Sequence, residues 1–128
     1  MDNFNNKRRY ERIFFGRDQN IVGQLSLPDG ETDGPQVTIL NLSEGGLHFT
    51  ITRRDHVAIK DGERILLKSV SGPPPLKFAR PITMEVKWVL DHDFLEHIGY
   101  GCEFIDLPEE LAEMIRDVVA SGNLGSKG

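Results

Sequence analysis

The residues best suited to chemistry in this chain are arginines gathered near its start. Between Lys7 and Arg17 stand five basic residues, Lys7, Arg8, Arg9, Arg12 and Arg17, against one acid, Glu11. Arg8 and Arg12 are four positions apart, which puts both side chains on one side whether the segment is extended or helical. Two guanidinium groups on one side offer planar pairs of donors that match phosphate oxygens or the O6/N7 edge of guanine. Taken alone, such a run reads equally well as a solvated basic tail.

A second cluster is Asn41-Leu42-Ser43-Glu44-Gly45-Gly46. Asn41 carries both an amide donor and an amide acceptor, and the Ser43 hydroxyl can play either role. Gly45 and Gly46 permit backbone angles closed to other residues and let a ligand approach the main chain. Leu42 is expected to point into the core. The same six residues also spell an ordinary hairpin turn.

Other candidates carry less. Trp88 shares a period-two stripe with Ile82, Met84 and Val86, so core packing is its first reading and stacking on a guanine its second. Asp91, His92, Asp93, Glu96 and His97 match no familiar zinc spacing, and no metal is expected. Cys102 reads as a small buried hydrophobe, and His48 and His56 as outward strand and loop residues. The chain lacks a glycine-rich phosphate loop opening a helix, a nucleophile elbow and a paired-acid constellation. A binder is expected, not an enzyme, with no cofactor.

The elements that must position these residues are mostly strands. From Ile21 onward the dominant period is two: Ile21/Gly23/Leu25/Leu27, Val37/Ile39, Leu47/Phe49/Ile51, Ile82/Met84/Val86/Trp88/Leu90 and Ile98/Tyr100/Cys102/Phe104 each form one apolar face. The stretch RILLKSV is less regular but rich in strand formers. Turn-rich segments (PDGETDGP, SEGG, KDGE, SGPPP) separate the runs. Six short strands with no helix between them argue for an antiparallel barrel or sandwich, and closure into a barrel is the economical way to leave no edge exposed. One helix closes the pattern: Leu111, Met114, Ile115, Val118 and Val119 follow helical spacing, Asp106 with Glu109 suggests a capping box, and Gly122 a stop. The expected organisation is a flexible basic N-terminal arm over residues 1–18, a barrel plus C-terminal helix over 19–120, and a loose tail over 121–128.

Composition bounds the rest. At 128 residues the chain suits one domain. The formal net charge of −5 argues against a general nucleic-acid binder, and it concentrates the positive potential in the arm. The sequence shows neither a signal-peptide pattern nor an apolar run long enough to span a bilayer, and its single cysteine suits a reducing compartment; a cytoplasmic protein is expected.

An Arg-x-x-x-Arg arm ahead of a short-stranded barrel, followed by Asp/Asn-x-Ser-x-x-Gly, resembles the PilZ domain. The matching residues here are Arg8/Arg12 and Asn41/Ser43/Gly46, and IGYGCEFIDL resembles the family's closing strand running into its terminal helix. The resemblance implies a six-stranded antiparallel β-barrel (PilZ-like split barrel) that binds cyclic di-GMP, with Lys7, Arg8, Arg9 and Arg12 on phosphates and guanine edges. Asn41, Ser43, Gly45 and Gly46 would line the facing wall. In the family the residue before the first motif arginine bears on whether a stacked ligand pair binds, and Lys7 at that position favours two ligand molecules. Ligand binding is expected to order the arm, including Phe14 and Phe15, and to change the surface seen by a downstream protein partner. Two alternatives stay open: a PilZ-like interaction module without nucleotide binding, and an OB-like barrel for single-stranded nucleic acid, which the acidic barrel disfavours.

Overall fold

The alternating runs close on themselves. A computed structural model describes residues 11–26, 33–55, 59–74, 76–92 and 94–121. The strands are β1 (Arg12–Phe14), β2 (Val22–Ser26), β3 (Asp33–Ser43), β4 (Gly46–Thr52), β5 (Arg64–Ser71), β6 (Lys77–Phe78), β7 (Ile82–Leu90) and β8 (His97–Ile105), and helix α1 (Glu109–Ser121) follows them. The order β3-β2-β5-β7-β8-β4, with β4 pairing back onto β3, makes a closed six-stranded barrel whose pairings are all antiparallel.

Two short strands are added to the six that periodicity marks out. β1 continues ahead of β2 along the same edge of β3, with Arg12 opposite Ser43 and Phe14 opposite Asn41. β6 sits beside β5, with Phe78 opposite Val70. Three and two residues are too few to show a period, which is why neither stands out in the sequence.

The barrel interior holds Leu47, Phe49, Ile51, Leu67, Met84, Val86, Ile98 and Tyr100, all essentially inaccessible. The Phe49 and Tyr100 rings stack with centroids 5.0 Å apart. Ile13 and Phe15 belong to the same apolar cluster, so the segment around β1 is tied to the core as well as to β3. Helix α1 adds Leu111, Ile115 and Val118 to that cluster and packs against β1 and β3. Its first hydrogen bond runs from the Ala112 amide to the Pro108 carbonyl. Asp106 therefore stands ahead of the cap, in the left-handed region at φ 55°, rather than serving as the cap itself. Gly122, the expected stop, lies outside the described residues.

Of the register shifts in the sheet, two shape the outer surface around Asn41 and Trp88. On β3 the pairing jumps between Ile39 and Asn41, so Leu40 is the extra residue; on β7 it jumps between Val86 and Trp88, so Lys87 is. A bulge reverses which face the following residues take. The apolar stripe expected from Ile82 to Leu90 is thus broken: Val86 is fully buried, whereas Trp88 is 41% exposed and Leu90 46%. Core packing, the first expectation for Trp88, is corrected by this shift.

Candidate functional site

The outer face over β1, β3, β4, β8 and β7 carries the residues with chemistry. Along β1 the pattern is exposed, buried, exposed: Ile13 goes inward while Arg12 and Phe14 go outward. Arg12 and Asn41 then lie diagonally across the β1–β3 pairing on the same face. The Arg12 Nη1 donates to Asn41 Oδ1 at 2.7 Å. Partial burial pulls the Arg12 guanidinium below its ordinary pKa. The arm's second motif arginine and the hairpin's asparagine are therefore in direct contact.

The row continues across the sheet. Asn41 is opposite His48, and its Nδ2 donates to His48 Nδ1 at 2.9 Å. His48 is opposite Gly101, and Gly101 is opposite Trp88. The Trp88 indole lies across the space Gly101 leaves open: a Cβ at Gly101 would sit 2.1 Å from Trp88 Nε1. It reaches His48 edge-on, with ring centroids 4.8 Å apart at 73°. A half-open groove of about 270 Å³ adjoins this row, lined by His48, Trp88, Leu90, Leu95, Glu96 and Gly99 among others. Burial, then the Arg12 charge, holds the His48 imidazole below the usual histidine pKa.

The hairpin residues divide by role. The Ser43 hydroxyl accepts from the amides of Gly45 (3.1 Å) and Gly46 (3.2 Å) and faces the Gly46 carbonyl, so it closes the turn internally. Gly46 is needed for space: a Cβ there would lie 2.0 Å from the Cys102 carbonyl oxygen of β8. Gly45 uses its carbonyl to accept from the Phe104 amide at 2.9 Å. Among the described glycines only Gly62 adopts a positive φ, so close strand approach, not an unusual backbone angle, is what this turn draws from Gly46. Glu44 at the tip accepts from Arg116 of α1 at 2.6 Å, and Arg116 also donates to Glu109 at 2.8 Å.

At the far end of β4, Arg53 donates to the carbonyls of Leu95 (2.8 Å) and His92 (2.6 Å) and to Asp91 Oδ1 (2.8 Å). That fork fixes the connection before β8 and with it Leu95 on the groove's rim. Phe94 beside it is 97% exposed. Cys102 is buried, and desolvation pushes its thiol up to about 12. Among the described residues no three His, Cys, Asp or Glu side chains gather as a metal site, and no helix is long and apolar enough to cross a membrane.

Of the residues singled out from sequence, Arg12, Asn41, Ser43, Gly45, Gly46 and Trp88 fall on one continuous face, while Lys7, Arg8 and Arg9 lie outside the described residues. His48, by sequence a plain outward strand residue, belongs to this row as well. A signal for it existed: a two-residue hairpin pairs Ser43 with Gly46, which forces Asn41 opposite His48.

The family model for the PilZ domain matches residues 6–121. No curated protein matches the chain in sequence. Solved structures with the same fold include the PilZ domain of YcgR from Escherichia coli with c-di-GMP, with a TM-score of 0.72 at 16% identity, covering 90% of each chain. The Bacillus subtilis inhibitor of motility MotI/DgrA superposes with a TM-score of 0.68 at 16% identity, over 90% of this chain and 50% of that one. The K. pneumonia MrkH–c-di-GMP complex gives 0.67 at 13%, over 89% and 51%. This chain spans about half the length of the latter two proteins.

Proposed function

The chain belongs to the PilZ domain family, and from that membership we propose that it is a receptor for cyclic di-GMP rather than an enzyme. The observation that carries the reading is the 2.7 Å contact from Arg12 of the arm to Asn41 of the hairpin. Structural neighbours solved with c-di-GMP support the choice of ligand. On this reading Arg12, together with Lys7, Arg8 and Arg9 of the arm, meets the phosphates and guanine edges. Asn41 anchors Arg12, Ser43 and Gly46 hold the hairpin that presents Asn41, Gly45 lines the same wall, and the exposed Trp88 face takes a guanine. The family's other chemistry-free role, an interaction module without nucleotide, has no comparable contact behind it.

We propose further that binding brings Lys7, Arg8 and Arg9 onto the face that holds Arg12, and so alters the surface a downstream protein partner meets in the cytoplasm. Isothermal titration with cyclic di-GMP tests the core of the reading. Arg8→Ala, Arg12→Ala and Asn41→Ala should each weaken binding, the arginines by about 5- to 150-fold if each loses a bidentate guanine or phosphate pair worth about 1–3 kcal/mol. Affinity should also fall as salt rises, because arginine–phosphate attraction is screened. Undiminished affinity in all three variants would remove the proposal.

A further inference from the structure

Resting on the cyclic-dinucleotide reading, we infer that His48 is a positioning residue of the binding face. Its neutral imidazole accepts from Asn41, sets which end of that amide meets Arg12, and so makes ligand affinity fall when the ring takes up a proton.

The reasoning starts from the two ends of an asparagine amide, one a pure acceptor and the other a pure donor. A guanidinium only donates, so Asn41 must turn its oxygen toward Arg12, as the 2.7 Å contact has it. That choice sends the NH2 group to His48 Nδ1 at 2.9 Å, and an NH2 group can only donate. His48 must then offer a lone pair on Nδ1 and carry its proton on Nε2. The chain of donors runs one way, from Arg12 into Asn41 and from Asn41 into His48.

A second proton on His48 breaks this order. With both ring nitrogens donating, Asn41 can satisfy His48 or Arg12 but not both, and a positive ring would stand in the field of Arg12. From its other side the ring is held by Trp88 of β7, and the facing position on β8 is Gly101. Neither carries charge. Among the described residues the titratable and charged groups around it are Arg12 from β1 and, lining the same groove, Glu96 and His97. Burial and Arg12 both disfavour the imidazolium, in keeping with the geometry. Binding that requires the ordered chain must exclude that proton. Well below the His48 pKa, the dissociation constant should rise by about tenfold per pH unit.

The experiment has a ligand-free and a ligand-bound arm. In the ligand-free protein, nitrogen NMR of the His48 ring should show the neutral Nε2–H form near neutral pH. Asn41→Asp, whose carboxylate only accepts, should convert it to the imidazolium. Calorimetric titration with cyclic di-GMP between about pH 5 and 8 should show wild-type affinity falling with acid. His48→Asn keeps an acceptor near the Nδ1 position but cannot titrate; it should bind like wild type at the alkaline end and lose the slope that His48 contributes. His48→Phe keeps a ring against Trp88 but removes the acceptor, and should bind about three- to tenfold more weakly at the alkaline end. A wild-type slope no steeper than that of His48→Asn, full-strength binding by His48→Phe, or an Nδ1–H ring in the free protein would overturn the inference. Failure of the wild-type chain to bind cyclic di-GMP at any pH would instead sink the receptor reading on which it rests.

Discussion

Replacing Gly101 with alanine puts a methyl group where the Trp88 indole now lies. The new Cβ would sit 2.1 Å from Nε1, 2.2 Å from Cε2 and 2.7 Å from Cζ2. Non-bonded carbons rest about 3.5–4.0 Å apart, so the ring must retreat by well over an ångström and give up its edge contact with His48. The indole is 41% exposed and stands outside the barrel, so it can leave without opening a cavity. Stability should therefore change by no more than about 1 kcal/mol, in the range of surface substitutions. Ligand binding should change much more. If a guanine stacks on Trp88, the lost stacking is worth about 1–3 kcal/mol, or roughly 5- to 150-fold in affinity. Trp88 is the only tryptophan in the chain, so its fluorescence reports the displacement directly, and calorimetry reports the affinity. Trp88→Ala should reproduce the loss, and Gly101→Ala added to it should cost nothing further, because both act through one ring. A displaced indole with unchanged affinity would refute a stacking role for Trp88.

Three further outcomes follow from the same geometry. Ile13→Ala empties a buried position on the inward side of β1 and should lower unfolding stability by about 2–5 kcal/mol, read from denaturant midpoints. His48 has a folded pKa below its ordinary value of 6.5, so the unfolded chain takes up the proton first; its share of stability is whole above that value and is lost as pH falls from there toward the folded pKa, and His48→Asn should abolish this part of the acid slope in melting experiments. Cys102, buried with its thiol pushed up to about 12, should resist alkylation near pH 8 in the native protein and react once denaturant exposes it.

Much of this molecule is legible from residue order because alternation is a strong signal wherever one face is buried. The runs 46–52 and 98–105 keep strict parity through their whole length, and their inward residues Phe49, Ile51, Ile98 and Tyr100 are the barrel core. The family resemblance sets the arm and the hairpin on facing walls of a ligand gap; the direct contact of Arg12 with Asn41 is known only from the structure. β1 is hidden in the sequence because its three residues sit within a charge run, and charge says nothing about whether Ile13 and Phe15 between the cations are anchored. The order reads as a tail, yet both are buried, at 6% and 8% exposure.

Parity also shifts along β2 and β5, but the two breaks that bear on the candidate site lie on β3 and β7. Val37 and Ile39 point inward, so unbroken alternation would send Asn41 inward as well; the extra residue Leu40 turns Asn41 to the outer face and leaves Leu42 for the core. Unbroken alternation after Val86 would bury Trp88; the extra residue Lys87 turns it out over Gly101. The first reversal was detectable, since inward Val37 and Ile39 are incompatible with an inward Leu42 on a regular strand. The second was not, because an indole is as acceptable inside a barrel as outside it and hydrophobicity alone does not choose. Bulges cost ladder hydrogen bonds and recur where a side chain must be re-aimed. Here they deliver an amide and an indole to the two ends of one row, with His48 and Gly101 between them. A regular barrel built from the same strands would have hidden both ends of that row, so the irregularity, more than the barrel itself, is what brings the row to the surface.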